Sequence, residues 1–344
     1  MPRASRPGFA LPAVLAVTGV VTIVFLVAIT ALANLTAEAG AARARIRFLE
    51  HALTAEADIT LMTLTEPFSP RGMEIGGLRR VSEFLGASAS YSSGLPIAEL
   101  RLDGRPYRMD VAGSTLVVGL RDQAGLINIS RLDESGLDRL AEAAGMTPAQ
   151  RRDLWPRLRD YVDSDELKTL NGAETADYAV GAPANRKLLT GQEWLSISGV
   201  RAAIDPLRWR EIRDEVVADA TEASSNINTA SPETLRIRFG LTPAETQTAI
   251  TARERAPILS IQELATVIGR DLGADPLAIY TYPSGTIVFT IRDTRSPWIY
   301  RGRLALTPGD PDQPFWIDQT ETLEGPHRTK AVSTDAPAFP YAPD

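Results

Sequence analysis

Six carboxylates fall within the eighteen residues from Asp160 to Asp177: Asp160, Asp163, Asp165, Glu166, Glu174 and Asp177. They belong to the stretch RDYVDSDELKTLNGAETADYAVGAPANR, which is interrupted by Asn171-Gly172. Hard oxygen donors on a glycine-containing loop suit Ca²⁺, which takes about six to eight oxygens from carboxylates, carbonyls and water. The loop is not an EF-hand: counted from Asp163, the sixth position is Lys168 rather than glycine. Without a cation, the same residues make a solvated acidic loop, and spacing alone leaves both readings open. Paired carboxylates also serve in general acid–base catalysis. No nucleophile or oxyanion-stabilising group accompanies them here, so catalysis is not expected. The chain has no cysteine and only two histidines, His51 and His327. That excludes disulfides, thiolate zinc sites, cysteine nucleophiles and sites built on several histidines.

The elements that carry this loop begin at a membrane. No charged side chain occurs from Phe9 to Ala37, a run long enough to cross about 30 Å of hydrocarbon as a helix. Residues 1–50 contain five basic and two acidic side chains, so their charge of +3 leaves −10 of the net −7 to the rest. A mean hydropathy of −0.08 therefore averages a membrane helix and an acidic exterior. The apolar run is too long for a secretory signal peptide. A short basic leader ending in Gly8, followed by Phe9 and a long apolar helix, resembles type IV pilin-like precursors. That resemblance implies cleavage between Gly8 and Phe9 by a membrane prepilin peptidase and N-methylation of Phe9. The fifth residue after the cut is Ala13, where most pilin-like subunits carry a glutamate. Arg3 and Arg6 face Arg43, Arg45 and Arg47 across the helix, so charge alone does not orient the chain.

Helical periodicity continues past the bilayer through Ile46, Leu49, Leu53, Thr60 and Leu64, until Pro67 and Pro70. The expectation is a stalk helix of roughly 55 residues, half in lipid and half amphipathic. A hairpin is expected over Ala98–Met109 around Asp103-Gly104, and a strand over Thr115–Arg121. Strand character returns over Ile279–Leu306, with Phe315–Ile317 as an edge strand and a loose proline-rich tail from about Thr322. About 150 residues of helical pattern lie between the sheet halves. Within them, two segments repeat the order asparagine, capped helix, Gly-x-Thr-Pro, helix, capping residues, glycine. Ser231-Pro232, Thr147-Pro148 and Thr242-Pro243 are N-caps followed by proline at the first helical position. Thr190 with Glu193 and Ser260 with Glu263 read as capping boxes. The second copy resembles a helix-hairpin-helix module, which binds DNA phosphates through backbone amides. Its hairpin, Gly240-Leu241-Thr242, lacks the second glycine, and residues 226–270 carry only five arginines against four glutamates. A membrane-anchored DNA-binding receptor is thus the alternative reading, with no nucleic acid expected.

The order of these parts, with the stretches RDQAGLINI, YVDSD, NGAE, APANR and NINTASP, resembles the type II secretion protein K family of large minor pseudopilins. The absent glutamate is typical of that subgroup. The resemblance implies an α+β fold: a pilin-like helix and small antiparallel sheet, interrupted by an all-α insert with helix-hairpin-helix-like repeats. On this reading residues 1–8 are the leader, 9–37 the transmembrane helix and 38–66 the stalk. Residues 67–127 and 279–321 form the pseudopilin sheet, 128–278 the insert and 322–344 the tail. The family's Ca²⁺ site maps onto Asp163, Asp165, Glu174 and Asp177, with Asp160 and Glu166 as neighbours. The implied role is structural, not enzymatic. The chain would be a single-pass inner-membrane protein with its C-terminal domain in the periplasm, at the tip of a short filament serving protein export. It would pack against other minor pseudopilins through Ile46, Leu49 and Leu53.

Overall fold

The computed structural model describes residues 10–75, 98–221, 225–273, 279–324 and 336–340. Helix α1 (Ala10–Thr65) runs unbroken for 56 residues. Its most apolar window has a mean hydropathy of 2.6 and no buried residue, as expected of a surface made for lipid rather than for a protein core. The second half turns one face onto the rest of the molecule: Phe48, Ala52, Ala55, Ile59 and Met62 are fully buried. This face lies beside the expected one. Thr60 is buried with it and Leu49 packs at its border, whereas Ile46, Leu53 and Leu64 point outward. Small Ala52 and Ala55 let the helix approach the sheet closely, an advantage that a count of large apolar residues overlooks.

The core under α1 is an antiparallel sheet in the order β12-β11-β10-β5-β4. Its strands are β4 (Asp103–Val111), β5 (Ser114–Asp122), β10 (Thr286–Asp293), β11 (Trp298–Leu306) and β12 (Phe315–Glu324). Alternation does the sorting. Leu116, Val118 and Leu120 on β5 and Ile287, Phe289 and Ile291 on β10 face α1, with Tyr300 and Leu304 from β11. Tyr300 donates its hydroxyl to Glu56 Oε2 at 2.6 Å, tying sheet to helix, and burial with this carboxylate pushes the phenol up. The Arg45 guanidinium lies 5.0 Å over the Trp298 ring. A second sheet, β1-β2-β3, is formed by β1 (Phe68–Ser69), β2 (Gly72–Ile75) and β3 (Ala98–Arg101).

The hairpin expected around Asp103-Gly104 is not formed. β3 pairs with β2, and β4 pairs instead with β5. The turn is Ala112-Gly113, both at positive φ (46° and 81°), as a two-residue hairpin requires. Gly104, at φ 85°, serves an irregularity in β4 between Asp103 and Pro106. The edge strand is also longer than expected, running from Phe315 to Glu324. The tail is not loose throughout: Phe339 is buried against Tyr107, and its N–H donates to Arg108 O at 2.7 Å. His327 lies outside the described residues.

β5 precedes the insert and pairs with β10, which follows it, so the insert leaves and re-enters the middle of the sheet. It contains α2 (Glu134–Ala143), α3 (Pro148–Arg151), α4 (Leu154–Val162), α5 (Val200–Ala203), α6 (Pro206–Ile212), α7 (Pro232–Phe239), α8 (Pro243–Arg255) and α9 (Ile261–Ile268). It is not purely helical. β6 (Ile127–Asn128) pairs in parallel with β7 (Val216–Val217), and β8 (Ser225–Asn226) with β9 (Ile279–Tyr280). Two-residue strands have no periodicity for a sequence pattern to display. Two apolar cores fill the insert, one around Trp194, Leu140 and Leu158, the other around Ile227, Leu235 and Leu264.

Asp122, at the end of β5, joins insert to sheet. Its buried carboxylate accepts from Asn226 Nδ2 (3.1 Å), Thr229 Oγ1 (2.8 Å), Ser284 Oγ (2.8 Å), Ser284 N (3.0 Å) and Ala124 N (3.1 Å). Asp122→Ala strips buried donors of their acceptor, at a cost of about 3 kcal/mol. All five tryptophans lie beyond α1, so their fluorescence follows unfolding of the head in the full-length chain. The expected result is a urea midpoint well below wild type; an unchanged midpoint contradicts the role of Asp122.

Candidate metal centre

α4 buries Leu154, Leu158 and Tyr161, and Asp160 lies with them, fully excluded from solvent. Asp163 follows one turn later as the helix C-cap, its N–H bonded to Arg159 O at 3.0 Å. The three-residue spacing sets both carboxylates on one side of the helix end. The chain then reverses. Thr169 N donates to Asp160 Oδ1 and Oδ2 at 3.3 and 3.2 Å, and Gly172 N to Thr169 O at 2.9 Å. Asn171 takes a left-handed φ of 64°. Gly172 passes so close to Asp160 that a Cβ there would lie 1.8 Å from Oδ2. This turn carries Glu174 back to the helix end.

Asp160, Asp163 and Glu174 thereby present one oxygen each within 4.8 Å of one another. Asp163 Oδ1 and both Glu174 carboxylate oxygens are buried without a hydrogen-bond donor. Burial, then the charge of Asp165 and Asp160, pushes the Asp163 carboxyl up; burial, then Asp160, Glu166 and Asp163, does the same for Glu174. Like charges held together without donors are what a bound cation relieves.

The other acids are placed differently. Asp177 pairs with Lys168 Nζ at 2.7 Å and accepts from Glu174 N at 3.0 Å; the lysine contact holds its carboxyl below the usual range. Asp165 accepts from Leu167 N at 2.8 Å, and Glu166 from Asn185 Nδ2 at 3.0 Å, both exposed. Asp160, expected as a neighbour, stands inside the group, and Asp165 and Asp177 stand outside it. Asn185 has a buried, unpartnered Oδ1 and a left-handed φ of 48°, so it joins the candidates as a neutral oxygen donor. The APANR stretch signals it in the sequence, though a search for carboxylates passes over it.

On the stalk, Ile46 and Leu53 expose about half their surface (56% and 51%), while Leu49 is half-buried against the core. Gly8 and Phe9 lie outside the described residues. The hairpin of the second repeat donates its amides internally: Thr242 N to Glu245 Oε2 at 2.7 Å, and Leu241 N to Leu235 O at 3.4 Å. Arg270 bonds Gly240 O at 3.0 Å and pairs with Glu245. The caps at Ser231, Thr242 and Thr147 form, but the expected Thr190–Glu193 box does not. Glu193 and Glu263 instead accept from Leu189 N and Leu259 N, both at 2.7 Å, because in each repeat the glutamate reaches one residue beyond the cap.

Gly172→Ala tests the turn. The added methyl has no room beside Asp160, and overpacking of this kind costs about 1–3 kcal/mol. The expected outcome is faster cleavage by trypsin after Lys168 in the variant than in the wild type, with equal rates counting against the tight turn.

No family model matches the chain. It is 29% identical over 164 residues to type II secretion system protein K of Klebsiella pneumoniae, a match covering 43% of this chain and 49% of the relative. It is 27% identical over 161 residues to the protein of the same name from Pseudomonas aeruginosa, covering 44% and 47%. The match thus spans about half the length of these curated relatives. The fold is similar to a chain in the crystal structure of the GspK-GspI-GspJ complex from the enterotoxigenic Escherichia coli type 2 secretion system. That similarity has a TM-score of 0.50 at 15% identity and covers 83% of this chain and 99% of the other. Sequence similarity and a shared α+β fold together bear out the resemblance read from the motifs: the chain is similar to type II secretion system protein K.

Proposed function

We propose that this chain is a minor pseudopilin of a type II secretion system. Its role is structural: it caps the tip of a periplasmic pseudopilus and helps initiate assembly, with no catalytic step of its own. The observation that carries the reading is the continuous helix α1, lipid-compatible in its first half and partly unpartnered in its second, beneath a head like that of a chain crystallised with two other pseudopilins. Cleavage between Gly8 and Phe9 by prepilin peptidase would leave the helix at the mature N-terminus. The head then lies in the periplasm and the helix in the inner membrane. Ala13 removes the carboxylate that, in an ordinary subunit, offsets a neighbour's terminal amine in the low-dielectric filament core. The bulky insert obstructs a subunit stacking above. Both features fit a terminal position.

Ile46 and Leu53 supply apolar surface for the helix of another minor pseudopilin, with Leu49 supporting them from the core side. Coexpression of the full-length chain with the companion minor pseudopilins should yield a detergent-stable complex with Phe9 at the mature N-terminus. Ile46→Asp with Leu53→Asp should abolish the complex while leaving the head's unfolding midpoint unchanged. Retention of residues 1–8, or an undiminished complex from the double variant, counts against this assignment.

Ca²⁺ is the cation proposed for Asp160, Asp163 and Glu174, with Asn185 and backbone carbonyls as further oxygens. Bound there, it supplies charge neutralisation and ties the loop to α4. The metal-free pKa values set the sign of the pH effect. Asp163 and Glu174 are raised in the fold, so without metal their stabilising protonated form is lost as pH rises through those raised values. The rise in Tm on adding Ca²⁺ to EDTA-treated full-length protein should therefore be larger at pH 7.5 than at pH 5. Asp163→Ala with Glu174→Ala should remove the rise. A Tm indifferent to Ca²⁺ at both pH values identifies a solvated acidic loop instead.

A further inference from the structure

The sheet face turned away from α1 bears a cavity of about 280 Å³ between strands β4, β5, β10 and β11 and the segment at Asp214. Gly119 supplies no side chain to its lining, and Arg121, Arg292 and Arg301 line it with a single acid, Asp214. The register explains the cluster. Thr290 on β10 lies between Gly119 and Arg301, and Val288 lies beside Arg121, so outward-facing side chains from three adjacent strands converge.

Two of the arginines are engaged. Arg301 forks onto Asp214 with contacts of 2.7 and 2.6 Å, and Arg121 pairs with Glu215. Arg292 is half-buried and, among the described residues, its side chain makes no hydrogen bond or ion pair. Burial, with the charges of Arg301 and Arg121 against that of Asp214, presses its guanidinium below the usual range. Arg301 also keeps Nε buried without an acceptor. Arginine is seldom buried unless paired, and a guanidinium left without an acceptor carries an uncompensated desolvation cost. The lining residues carry three positive charges against one negative.

We infer that this cavity binds an organic carboxylate, with Arg292 as its principal donor. A guanidinium fork matches a carboxylate in two parallel hydrogen bonds. Pro106, Val117 and Val288 beside the arginines suit the hydrocarbon part of such a ligand, which inorganic phosphate lacks. At about 280 Å³ the space lies just below the usual range for drug-sized ligands. It therefore fits a small dicarboxylate or a single acidic side chain with its flanking backbone. The carboxylate can come from a free metabolite-sized acid or from an acidic residue of a bound polypeptide, and the chemistry at Arg292 is the same.

Calorimetric titration of the full-length chain in nonionic detergent at low ionic strength tests this. The probes are succinate, the end-blocked tripeptide Gly-Glu-Gly and inorganic phosphate. Succinate or the peptide should bind more tightly than phosphate, and whichever binds more tightly identifies the source as free acid or polypeptide. Arg292→Gln should weaken binding about tenfold, Arg292→Lys less, and Arg295→Gln, at an exposed arginine outside the cavity, not at all. Without ligand, Arg292→Gln should equal or exceed the wild-type Tm, because it removes an unpaired half-buried charge. Absence of binding, binding indifferent to Arg292→Gln, equal affinity for phosphate, or a lowered Tm in the unliganded variant would overturn the inference.

Discussion

Asp122 sits where a chain that leaves the centre of a sheet must later return to it. Insertion of about 150 residues between two paired strands is tolerable because loop-closure entropy grows only logarithmically with length. The junction still has to be fixed in orientation. A buried carboxylate with donors from Asn226, Thr229 and Ser284 does this directionally, where apolar packing would permit sliding. Burial pushes the Asp122 carboxyl up, and the hydrogen bonds from Ser284, Thr229 and Ala124 oppose that shift. Around it, Arg301 with Asp214, Arg121 with Glu215, and Arg105 with Glu254 join sheet to insert. The carboxylate cavity lies within this same seam.

Two other features depend on that junction. With β5 and β10 adjacent, their inward residues make one continuous apolar surface, and α1 lies on it through Phe48, Ala52, Ala55, Ile59 and Met62. With the outward residues of β5, β10 and β11 in register, three arginines gather that are far apart in the chain. The acidic loop is more local. It needs only the end of α4 and the turn at Asn171-Gly172.

That difference in range governs how much of the molecule is legible in its sequence. The long helix is legible because an uncharged run admits few structures, and the acid loop because Asp160 and Asp163 share a helical spacing. Choosing among the six acids required the fold. Lys168 engages Asp177, and the close pass of Gly172 brings Glu174, not Asp165, to Asp160. Asp103-Gly104 is the stronger turn signal in the sequence, whereas the turn that forms uses Ala112 at positive φ, a conformation alanine seldom takes. The Arg292 cavity has no sequence signature, since its members come from strands on both sides of the insert.

Between Ala37, where the uncharged run ends, and Arg45, whose guanidinium lies over Trp298 of the head, every residue of α1 is exposed. Those seven residues, 38–44, make a neck about 10 Å long between the uncharged run and the head. Gly40 stands within it with no atom near the position of a Cβ. Glycine weakens a helix by about 1 kcal/mol relative to alanine, so the neck is where α1 bends most cheaply outside the uncharged run, which holds Gly19. A bend there would change the angle between the uncharged segment and the head without unfolding any part of the core.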